Sequence, residues 1–353
     1  MLPRPYRIAI MSDPLVTVVI PHYTGDILLE CLGHLFSRTE MPMRVLVVDD
    51  YPDHESIARA RARFPQVEVL RNERNLGFVG ACNRGLRAAR SRYVMLLNND
   101  VEVSEGWLGA LVGFMEAHPA CAACQPKLLS FQDRGRFDYS GAGGGLMDLF
   151  GYPFCVGRIF DEMEEDLGQY DAPRPIFWAS GSAILIRREV LERTGLLDEA
   201  LWMHWEEIDL CWRIHLTGGQ ISSVPASVIY HHSGWTLSAS HFKKLYLNHR
   251  NSLIVTIKHS AWRRLLWMLP LRAGMEMLTI LYGLVRLEWK RPAAVAGALV
   301  WVATHPLTLW RGRRASRRIR RVPCREVERR MYAGSVVYQH FVRGVRRASA
   351  LVG

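Results

Sequence analysis

Three carboxylates, Glu206, Glu207 and Asp209, fall within five residues of a stretch otherwise rich in tryptophan and aliphatic side chains. They lead directly into an apolar segment that comprises Ile208, Leu210, Cys211 and Trp212. The spacing of Leu210, Cys211 and Ile214 fits one helical face. Acids in an apolar helix are costly to bury unless they are paired or used in chemistry. The alternative is an ordinary charge cluster at a helix N-terminus, where the helix dipole favours anions.

A second set of polar side chains follows three predicted strands. Ligands of parallel α/β sheets bind beyond the carboxyl ends of the strands, and these side chains would meet there. A single acid in such a place is often a turn former or a helix cap, but three such sites on one edge favour a binding site. The set comprises Tyr23, Asp49, Asp50, Asn98, Asn99 and Asp100.

The elements that must position these residues alternate between short apolar strands and amphipathic helices. This alternation predicts an α/β fold with a parallel, doubly wound sheet. A later strand through Val228–Tyr230 ends at His231. The predicted strands are Val16–Pro21, Arg44–Asp50, Val67–Asn72 and Tyr93–Asp100, and the predicted helices are Ile27–Arg38, Gly77–Arg90 and Trp107–His118.

Residues Phe131–Pro175 are predicted to be irregular. Their glycine-rich part, Gly141–Gly145, lacks the strand and helix that flank a dinucleotide-binding loop, so no such site is expected. The acidic run Asp161–Asp166 is interpreted as solvated surface. A long loop within a compact domain is usually functional or mobile.

The net charge of +11 resides in the C-terminal segment. From Arg311 onward the chain has 13 arginines, no lysine and two acids, and the remainder is formally neutral. A basic segment attached to a neutral body indicates a module that meets a polyanion.

Seven scattered cysteines, of which only Cys121 and Cys124 form a close pair, indicate a reducing, cytoplasmic compartment. The CAAC pair is interpreted as ordinary buried cysteine rather than a redox site. Residues 1–15 are expected to be a loose leader, and the lack of a long apolar run there argues against a signal peptide.

Residues 249–310 are strongly apolar but interrupted by charges, and five tryptophans are spaced among the arginines. The longest uncharged stretch, Pro292–Trp310, is a borderline candidate to span a membrane. We favour helices that lie in the membrane interface over a buried helical subdomain or a true span. The basic segment would then meet anionic lipid head groups. Nucleic acid is the rival partner and is not expected, because no aromatic-interleaved binding fold accompanies the arginines.

Seven motifs in order carry a resemblance to a known family. The sequence resembles the family 2 inverting glycosyltransferases, and among them the rhamnosyltransferase-type members that build bacterial surface polysaccharides. The similarity covers about two thirds of the chain, and it implies a GT-A fold with a mixed, mostly parallel central sheet. The motifs are VTVVIPHYTG, RVLVVDD, RNERNLGFVGACNRGLRAA, YVMLLNNDVEV, FWASGSAILIRREVL, GLLDEALWMHWEEIDLCWRI and VPASVIYHHSG.

The resemblance implies a donor pocket near the first two strands. Pro21, His22 and Tyr23 lie where family members hold the nucleotide base and ribose. Asp49 matches an acid that hydrogen-bonds the base, which favours uracil or thymine. Further candidates in the same pocket are Asp50 and Arg71.

The resemblance also implies a divalent metal. Asn98, Asn99 and Asp100 stand at the family's DxD motif, with an asparagine in place of the first acid. Asp100 matches the metal-holding acid, and its oxygen ligands suit Mg²⁺ or Mn²⁺. His231 matches a histidine that some members use as a further metal ligand.

Glu207 matches the second acid of the family's ED motif, which is the general base, although aspartate is usual there. Glu206 is the other candidate for this role. Four further residues resemble the wall of the acceptor site, with core packing as the alternative for the aromatic ones: Trp178, Gly181, His204 and Trp205.

We therefore predict a metal-dependent, inverting glycosyltransferase. Its expected donor is dTDP-rhamnose or a UDP-sugar, and its expected acceptor is a lipid-linked glycan at the inner face of a bacterial cell membrane. The predicted organisation is a leader (1–15), a GT-A catalytic domain (16–248), an apolar and amphipathic helical region (249–310) that associates with the membrane, and an Arg-rich tail (311–353).

Two other functions were weighed against this one. Nucleotidyl transfer to a sugar phosphate needs a glycine-rich, lysine-bearing loop after the first strand, and HYTGD lacks it. A catalytically inactive, membrane-associated module that binds nucleotide sugars is compatible with the substitutions at Asn98 and Glu207. Nucleotide binding without turnover would distinguish this module from an enzyme.

Overall fold

A computed structural model describes residues 14–51, 54–232 and 241–352. The predicted leader therefore lies outside the described residues except for its last two positions. The final Ser-Gly of the last motif lies outside them as well.

The described strands form a nine-stranded central sheet and a small second sheet of four strands. In chain order they are β1 (Val16–His22), β2 (Met43–Asp49), β3 (Glu68–Arg71), β4 (Tyr93–Leu97), β5 (Val101–Val103), β6 (Cys121–Ser130), β7 (Gly145–Met147), β8 (Pro153–Cys155), β9 (Arg158–Ile159), β10 (Glu162–Met163), β11 (Arg174–Pro175), β12 (Ala183–Arg187) and β13 (Gln220–His231).

The central sheet is mixed and mostly parallel, as predicted. Its order is β11-β13-β6-β12-β4-β1-β2-β3, and β5 pairs with β13 outside this path. Strands β3, β2, β1 and β4 run parallel, and β12 runs antiparallel to both of its neighbours. The carboxyl ends of β1, β2 and β4 therefore meet at one edge.

Twelve helices accompany the strands in the described part of the chain. They are α1 (Ile27–Ser37), α2 (His54–Arg63), α3 (Gly77–Ala88), α4 (Trp107–Ala117), α5 (Arg188–Thr194), α6 (Glu206–Leu216), α7 (Phe242–His259), α8 (Trp262–Val285), α9 (Lys290–Thr304), α10 (Pro306–Ile319), α11 (Cys324–Glu328) and α12 (Val336–Phe341), with single 3₁₀ turns at Glu199–Leu201 and Ala348–Ala350.

Helices cover both faces of the sheet because successive strand side chains point to opposite sides. In β1, Val19 packs into the core layer that contains Leu86 of α3. Its neighbours Val18 and Ile20 pack into the opposite layer with Leu32 of α1. Every residue of β1 is buried, which explains why the strand is a continuous apolar run rather than an alternating one.

Two segments differ from the expectation. The segment Phe131–Pro175, predicted to be irregular, contains β7–β11, whose two- or three-residue strands are too short to show a periodic pattern. The predicted strand Tyr93–Asp100 ends at Leu97, and Asn98–Asp100 form the turn that precedes β5. Asparagine and aspartate favour such turns because their side chains hydrogen-bond nearby backbone.

The C-terminal region folds against the catalytic unit. Helix α7 continues across the boundary predicted at residue 248 and packs against α9 and α10. The stretch Pro292–Trp310 is not one continuous helix, because α9 and α10 meet at a 74° bend at the break before Pro306. Among the described helices, α8 is the one that is by itself long and apolar enough to cross a membrane, and only 22% of its most apolar window is buried.

The arginine-rich segment 311–352 also has fixed partners. The backbone N–H of Arg321 donates to Leu216 O at the end of α6 (2.7 Å). The N–H of Val336 donates to the buried carboxylate of Asp148 (2.9 Å). Val336 and Ala348 are buried in a small core with residues of β8 and β9.

Candidate active site

The ends of β1, β2 and β4 place His22, Asp49 and Asn99 at one edge of the sheet. His22 and Asp49 are register partners on β1 and β2. The buried His22 ring lies 2.9 Å from Ser56 Oγ through Nε2. Its Nδ1 lies 2.9 Å from Asn99 Nδ2. The histidine thus links Ser56 of α2 to the turn that follows β4.

An open aromatic pair stands beside this edge. Tyr23 and Tyr51 are 44% and 48% exposed. Their ring centroids are 5.3 Å apart. Exposed aromatic faces of this kind can stack on a nucleobase. Pro21, by contrast, is buried within β1 opposite Val48. Sequence reasoning identified Tyr23 but missed Tyr51, although Tyr51 directly follows the two acids that end β2.

The two acids after β2 have different surroundings. Asp49 is buried, and its Oδ2 lies 3.4 Å from Nε of the half-exposed Arg71. Asp50 accepts hydrogen bonds from Asn72 Nδ2 (2.7 Å) and Leu76 N (2.9 Å). Asp50 therefore holds the loop before α3, whereas Asp49 and Arg71 stay together at the pocket edge.

Asp100 and His231 are brought together by the pairing of β5 with β13. His231 is the register partner of Val101. Asp100 Oδ1 lies 3.3 Å from His231 Nε2. His231 Nδ1 lies 2.9 Å from Oδ1 of the buried Asp138. Sequence reasoning missed Asp138, which carries no recognisable motif.

The same group places two carboxylates around His231, an arrangement that favours positive charge. Burial opposes charge on His231, yet hydrogen bonds to Asp100 and Asp138 raise its pKa to about 10. The two carboxylates thus favour positive charge here, whether on the ring or on a bound ion. Within the described ranges no cluster of three or more His, Cys, Asp or Glu ligands occurs, so Asp100 and His231 can supply two ligands. The Asp100 carboxylate suits Mg²⁺ or Mn²⁺, and a second carboxylate orients the His231 imidazole, as is usual for metal-binding histidines.

Glu206 and Glu207 occupy the first turn of α6. Burial raises the pKa of the Glu207 carboxyl to about 7. Burial and the neighbouring Glu207 charge raise the pKa of Glu206 well above its usual range. One carboxyl oxygen of each is buried without a hydrogen-bond partner among the described residues. The two adjacent carboxyls therefore hold a proton more readily than exposed glutamates, and their mutual repulsion disfavours ionisation of both.

Asp209 has a structural role instead. It accepts from Lys258 Nζ (2.6 Å) and Arg213 Nε (2.8 Å), and its Oδ1 lies 2.8 Å from His259 Nε2. Burial opposes the charge, but these partners hold the pKa of Asp209 well below its usual range. Asp209 therefore holds α6 against α7. Of the three acids in the sequence motif, Asp209 is ion-paired, whereas Glu206 and Glu207 each keep one carboxyl oxygen without a partner among the described residues.

The loop before α6 is strained. Trp202, His204 and Trp205 have positive φ angles of 62°, 65° and 74°. Non-glycine residues rarely adopt such angles unless surrounding contacts impose them. Asn251 of α7 imposes them here, because its Nδ2 lies within 3.0 Å of the carbonyl oxygens of Leu201, Met203 and His204.

The predicted acceptor residues have mixed surroundings. A side chain at Gly181 would place its Cβ 3.7 Å from Glu207 Cβ and 3.8 Å from Glu206 Oε1, so the glycine keeps space open beside the two carboxyls. Trp178 is buried and donates to Leu146 O (2.8 Å). Trp205 is buried in the same core layer. Burial and the nearby Lys244 charge lower the pKa of His204 to about 4. Contact of these residues with an acceptor stays a prediction.

Comparisons with known proteins agree with this geometry. The profile described as "Glycosyl transferase family 2" matches residues 17–195. An N-acetylglucosaminyl-diphospho-decaprenol L-rhamnosyltransferase of Mycobacterium tuberculosis (strain ATCC 25618 / H37Rv) is 27% identical over 278 residues, which is 74% of this chain and 89% of that protein. N-acetylgalactosaminyltransferase 6 of Drosophila melanogaster is 27% identical over 62% of this chain, but only 34% of that protein is covered.

Two solved structures share the fold. GalNAc-T7 with UDP, GalNAc and Mn²⁺ has a TM-score of 0.53 at 18% identity, over 70% of this chain and 48% of that one. The mannosyltransferase PcManGT from Pyrobaculum calidifontis, in complex with GDP-Man and Mn²⁺, has a TM-score of 0.50 at 17% identity, over 92% of this chain and 87% of that one. The predicted GT-A fold is thereby confirmed.

Proposed function

This chain belongs to glycosyl transferase family 2, and from that premise we propose that it is an inverting, metal-dependent transferase that moves rhamnose from dTDP-rhamnose to a hydroxyl of a lipid-linked glycan. A UDP-sugar is the second candidate donor. The observation that carries the proposal is Glu207, a partly buried residue at the start of α6. One oxygen of its carboxyl is buried without a partner among the described residues, and burial raises the pKa of this carboxyl to about 7. A Cβ at Gly181 would lie 3.7 Å from Glu207 Cβ and 3.8 Å from Glu206 Oε1.

Glu207 is the proposed general base. Its carboxylate takes the proton of the acceptor hydroxyl as that oxygen attacks the anomeric carbon of the donor. The bond between that carbon and the diphosphate oxygen breaks on the opposite side, and the electron pair leaves with the diphosphate. A single displacement inverts the anomeric centre without a covalent intermediate. Burial and the mutual repulsion of Glu206 and Glu207 disfavour a second negative charge beside the base.

The donor pocket is proposed at the edge shared by β1, β2 and β4. Asp49 would accept the N–H of a uracil or thymine ring, and the exposed tyrosines Tyr23 and Tyr51 would stack on it. His22 and Asn99 hold one another at the strand ends and would orient the ribose and diphosphate. The side chain of Asn98, which has a buried oxygen without a partner among the described residues, is a further donor contact.

Asp100 and His231 would hold Mg²⁺ or Mn²⁺. A bound divalent ion there neutralises charge on the leaving diphosphate. Asp138 fixes the His231 ring so that Nε2 faces Asp100. With asparagine at position 98, this edge would offer a divalent ion one carboxylate fewer than the family's motif does.

The acceptor and the location follow from the relative and from the C-terminal region. The mycobacterial relative is named for a diphospho-decaprenol acceptor. We infer a membrane-borne acceptor for this chain too, and hence an enzyme peripheral on the cytoplasmic face of the membrane. The apolar exposed helices of the C-terminal region would keep the enzyme at that surface.

The test measures binding and turnover with the same protein. Purified full-length chain is heated with dTDP, UDP, GDP or CMP, each with and without Mn²⁺, and transfer from dTDP-rhamnose to a lipid-linked acceptor is followed in parallel. A melting temperature raised by dTDP or UDP only with Mn²⁺, together with transfer, supports the proposal. Binding without transfer to any acceptor would favour the inactive nucleotide-sugar-binding module.

A further inference from the structure

Helix α8 buries three of its four charged side chains and exposes most of its large apolar ones. The buried stripe includes Arg264, Arg272 and Glu276, each at most 4% exposed. On the opposite side Leu278 and Val285 are 66% and 74% exposed. Helices at the surface of water-soluble proteins show the reverse pattern. The outer face of α8 is therefore built to meet an apolar environment.

The buried charges fasten α8 along its length to the body of the protein. Arg264 donates to Leu149 O (2.9 Å). Three turns later, Glu276 lies 2.7 Å from His249 Nδ1 of α7. Between them Arg272 donates to Ser252 Oγ (2.8 Å). Crossing a bilayer would break these contacts and leave the charges in hydrocarbon, so α8 fits a position flat in the interface.

An arginine-lined groove adjoins the first turns of α8. It has a volume of about 880 Å³ and lies between α8 and the segment that leads into α11. In the part of the chain that the structure describes, Arg263, Arg321 and Arg325 form no ion pair. One lining residue is acidic, Glu328, and it lies 3.9 Å from the buried Arg264. Among the described residues, the groove therefore carries an excess of positive charge without a matching number of acids.

Tryptophans edge the groove. Trp262 and Trp267 line it and are 61% and 44% exposed. Tryptophan concentrates at the level of lipid head groups, where one part of its ring system is apolar and another is polar. Arginine forms bidentate hydrogen bonds with phosphate. The groove thus suits lipid head groups, and the adjoining apolar face of α8 suits acyl chains.

The groove is separate from the catalytic carboxyls. It borders Arg321, whose N–H donates to Leu216 O at the last residue of α6. Glu207 lies at the first turn of that helix, so the length of α6, roughly 15 Å, separates the two sites. A phosphate in the groove is therefore not a group on the sugar that receives the glycosyl residue.

We propose that the outer face of α8 and the arginine-lined groove form one docking surface for an anionic phospholipid bilayer. Leu278, Leu281 and Val285 enter the boundary of the acyl chains, and Arg263, Arg321 and Arg325 bind lipid phosphates. This extends the membrane association proposed above and names the surface responsible. It rests on α8 and the groove and not on the assignment of the base, so either can fail without the other.

The experiment is flotation of the full-length protein with vesicles of phosphatidylcholine alone or with phosphatidylglycerol added. Arg321→Glu combined with Arg325→Glu is expected to weaken binding to the anionic vesicles about tenfold or more, because each reversal replaces attraction to the surface with repulsion. Leu278→Glu combined with Leu281→Glu is expected to weaken binding to both kinds of vesicle. Arg61→Glu with Arg63→Glu, on exposed positions of α2, is the control matched in charge and should bind like the native chain.

Circular dichroism and melting curves establish that each variant is folded before flotation. If the groove variant, Arg321→Glu with Arg325→Glu, bound anionic vesicles as well as the native chain does, the proposal that the groove binds lipid head groups would be overturned. Equal losses in the groove variant and in the α2 control would do the same, since net charge alone would then explain binding. Unchanged binding by the α8 variant would overturn the role of its apolar face.

Discussion

Glu206 and Glu207 are chemically identical neighbours that their surroundings make unequal. Glu206 is buried and Glu207 is partly buried at the start of α6, and burial raises the pKa of both carboxyls. The charge of Glu207 raises the pKa of Glu206 further. Glu207 is the proposed base because it stands where the family motif has its second acid.

Replacement of Glu207 by glutamine is expected to lower kcat by about 10²–10⁴-fold, the usual contribution of a general base. Affinity for dTDP should be unchanged, because the donor pocket lies at the strand ends. Glu206→Gln is the matched control, since glutamine resembles the protonated acid, and it should keep most of the activity. If instead Glu206→Gln were the inactive variant, the base would have to be reassigned.

The same carboxyl predicts the acid limb of the pH profile. Glu207 must be ionised to act, and burial raises its pKa to about 7. Below that pH kcat should fall about tenfold per pH unit, and above it the rate should level off. Initial rates at saturating substrate between pH 5 and 9 measure this. A profile flat down to pH 5 would contradict an elevated pKa in the base.

Asp138 is expected to act on the metal through His231. Asp138→Asn removes the carboxylate that fixes the ring, and such substitutions typically lower metal affinity about 10–100-fold. Calorimetry of Mn²⁺ binding in the presence of UDP measures the change. Asp133→Asn, at an exposed position of the preceding loop, is the control. Equal Mn²⁺ affinity in both variants would show that Asp138 does not support the site.

At the scale of elements, the start of α6 depends on α7. The loop Leu201–His204 is held by Asn251, and Asp209 is held by Lys258 and His259 of the same helix. The catalytic carboxyls thus owe their position to a helix that begins after the family motifs end. Because α7 also packs on α9 and α10, it connects the proposed base to the apolar C-terminal region.

Asn251→Ala is expected to lower kcat about tenfold or more while the KM for the donor changes little, because three carbonyls lose their donor and the strained loop relaxes. The unsatisfied groups should also reduce the free energy of unfolding by about 1–3 kcal/mol. Asn248→Ala is the matched control, since Asn248 donates only to Lys244 O one turn earlier (2.9 Å). A stability loss without a loss of kcat would restrict Asn251 to a structural role.

At the scale of the whole molecule, the basic C-terminal segment is part of the folded body. Its Val336 and Ala348 are fully buried, and Val336 N–H donates to the buried Asp148. Burial raises the pKa of Asp148 to about 6, and this donor opposes the rise. The segment therefore covers apolar side chains of β8 and β9 that would otherwise be exposed to solvent.

Deletion of residues 311–353 is expected to destabilise the whole protein rather than only release it from membranes. Loss of several buried apolar side chains should remove about 5 kcal/mol or more, at roughly 1.5–3 kcal/mol each. Urea unfolding monitored by tryptophan fluorescence measures this. The double variant of Arg321 and Arg325 keeps the segment and should unfold like the native chain. Native stability after the deletion would mean that the segment is dispensable for folding.

Several features could be predicted from the sequence because they depend on local pattern. Apolar runs placed β1, β2 and β4, the polar residues after them marked the binding edge, and ordered motifs indicated the family. The segment Phe131–Pro175 resisted prediction because its strands are too short for a periodic signal. Tyr51 and Asp138 were not predicted as site residues, because each is a single residue without a motif.

The sequence by itself determined which acids, asparagines and aromatics were available and in what order along the chain. Only the tertiary structure decided their roles, because burial and the identity of a partner depend on contacts between distant segments. The pairing of β5 with β13 places His231 beside Asp100. The packing of α7 on α6 gives Asp209 an ion pair with Lys258, whereas one oxygen of Glu207 has no partner among the described residues. Whether a carboxyl is an anchor or a base thus follows from its neighbours in space.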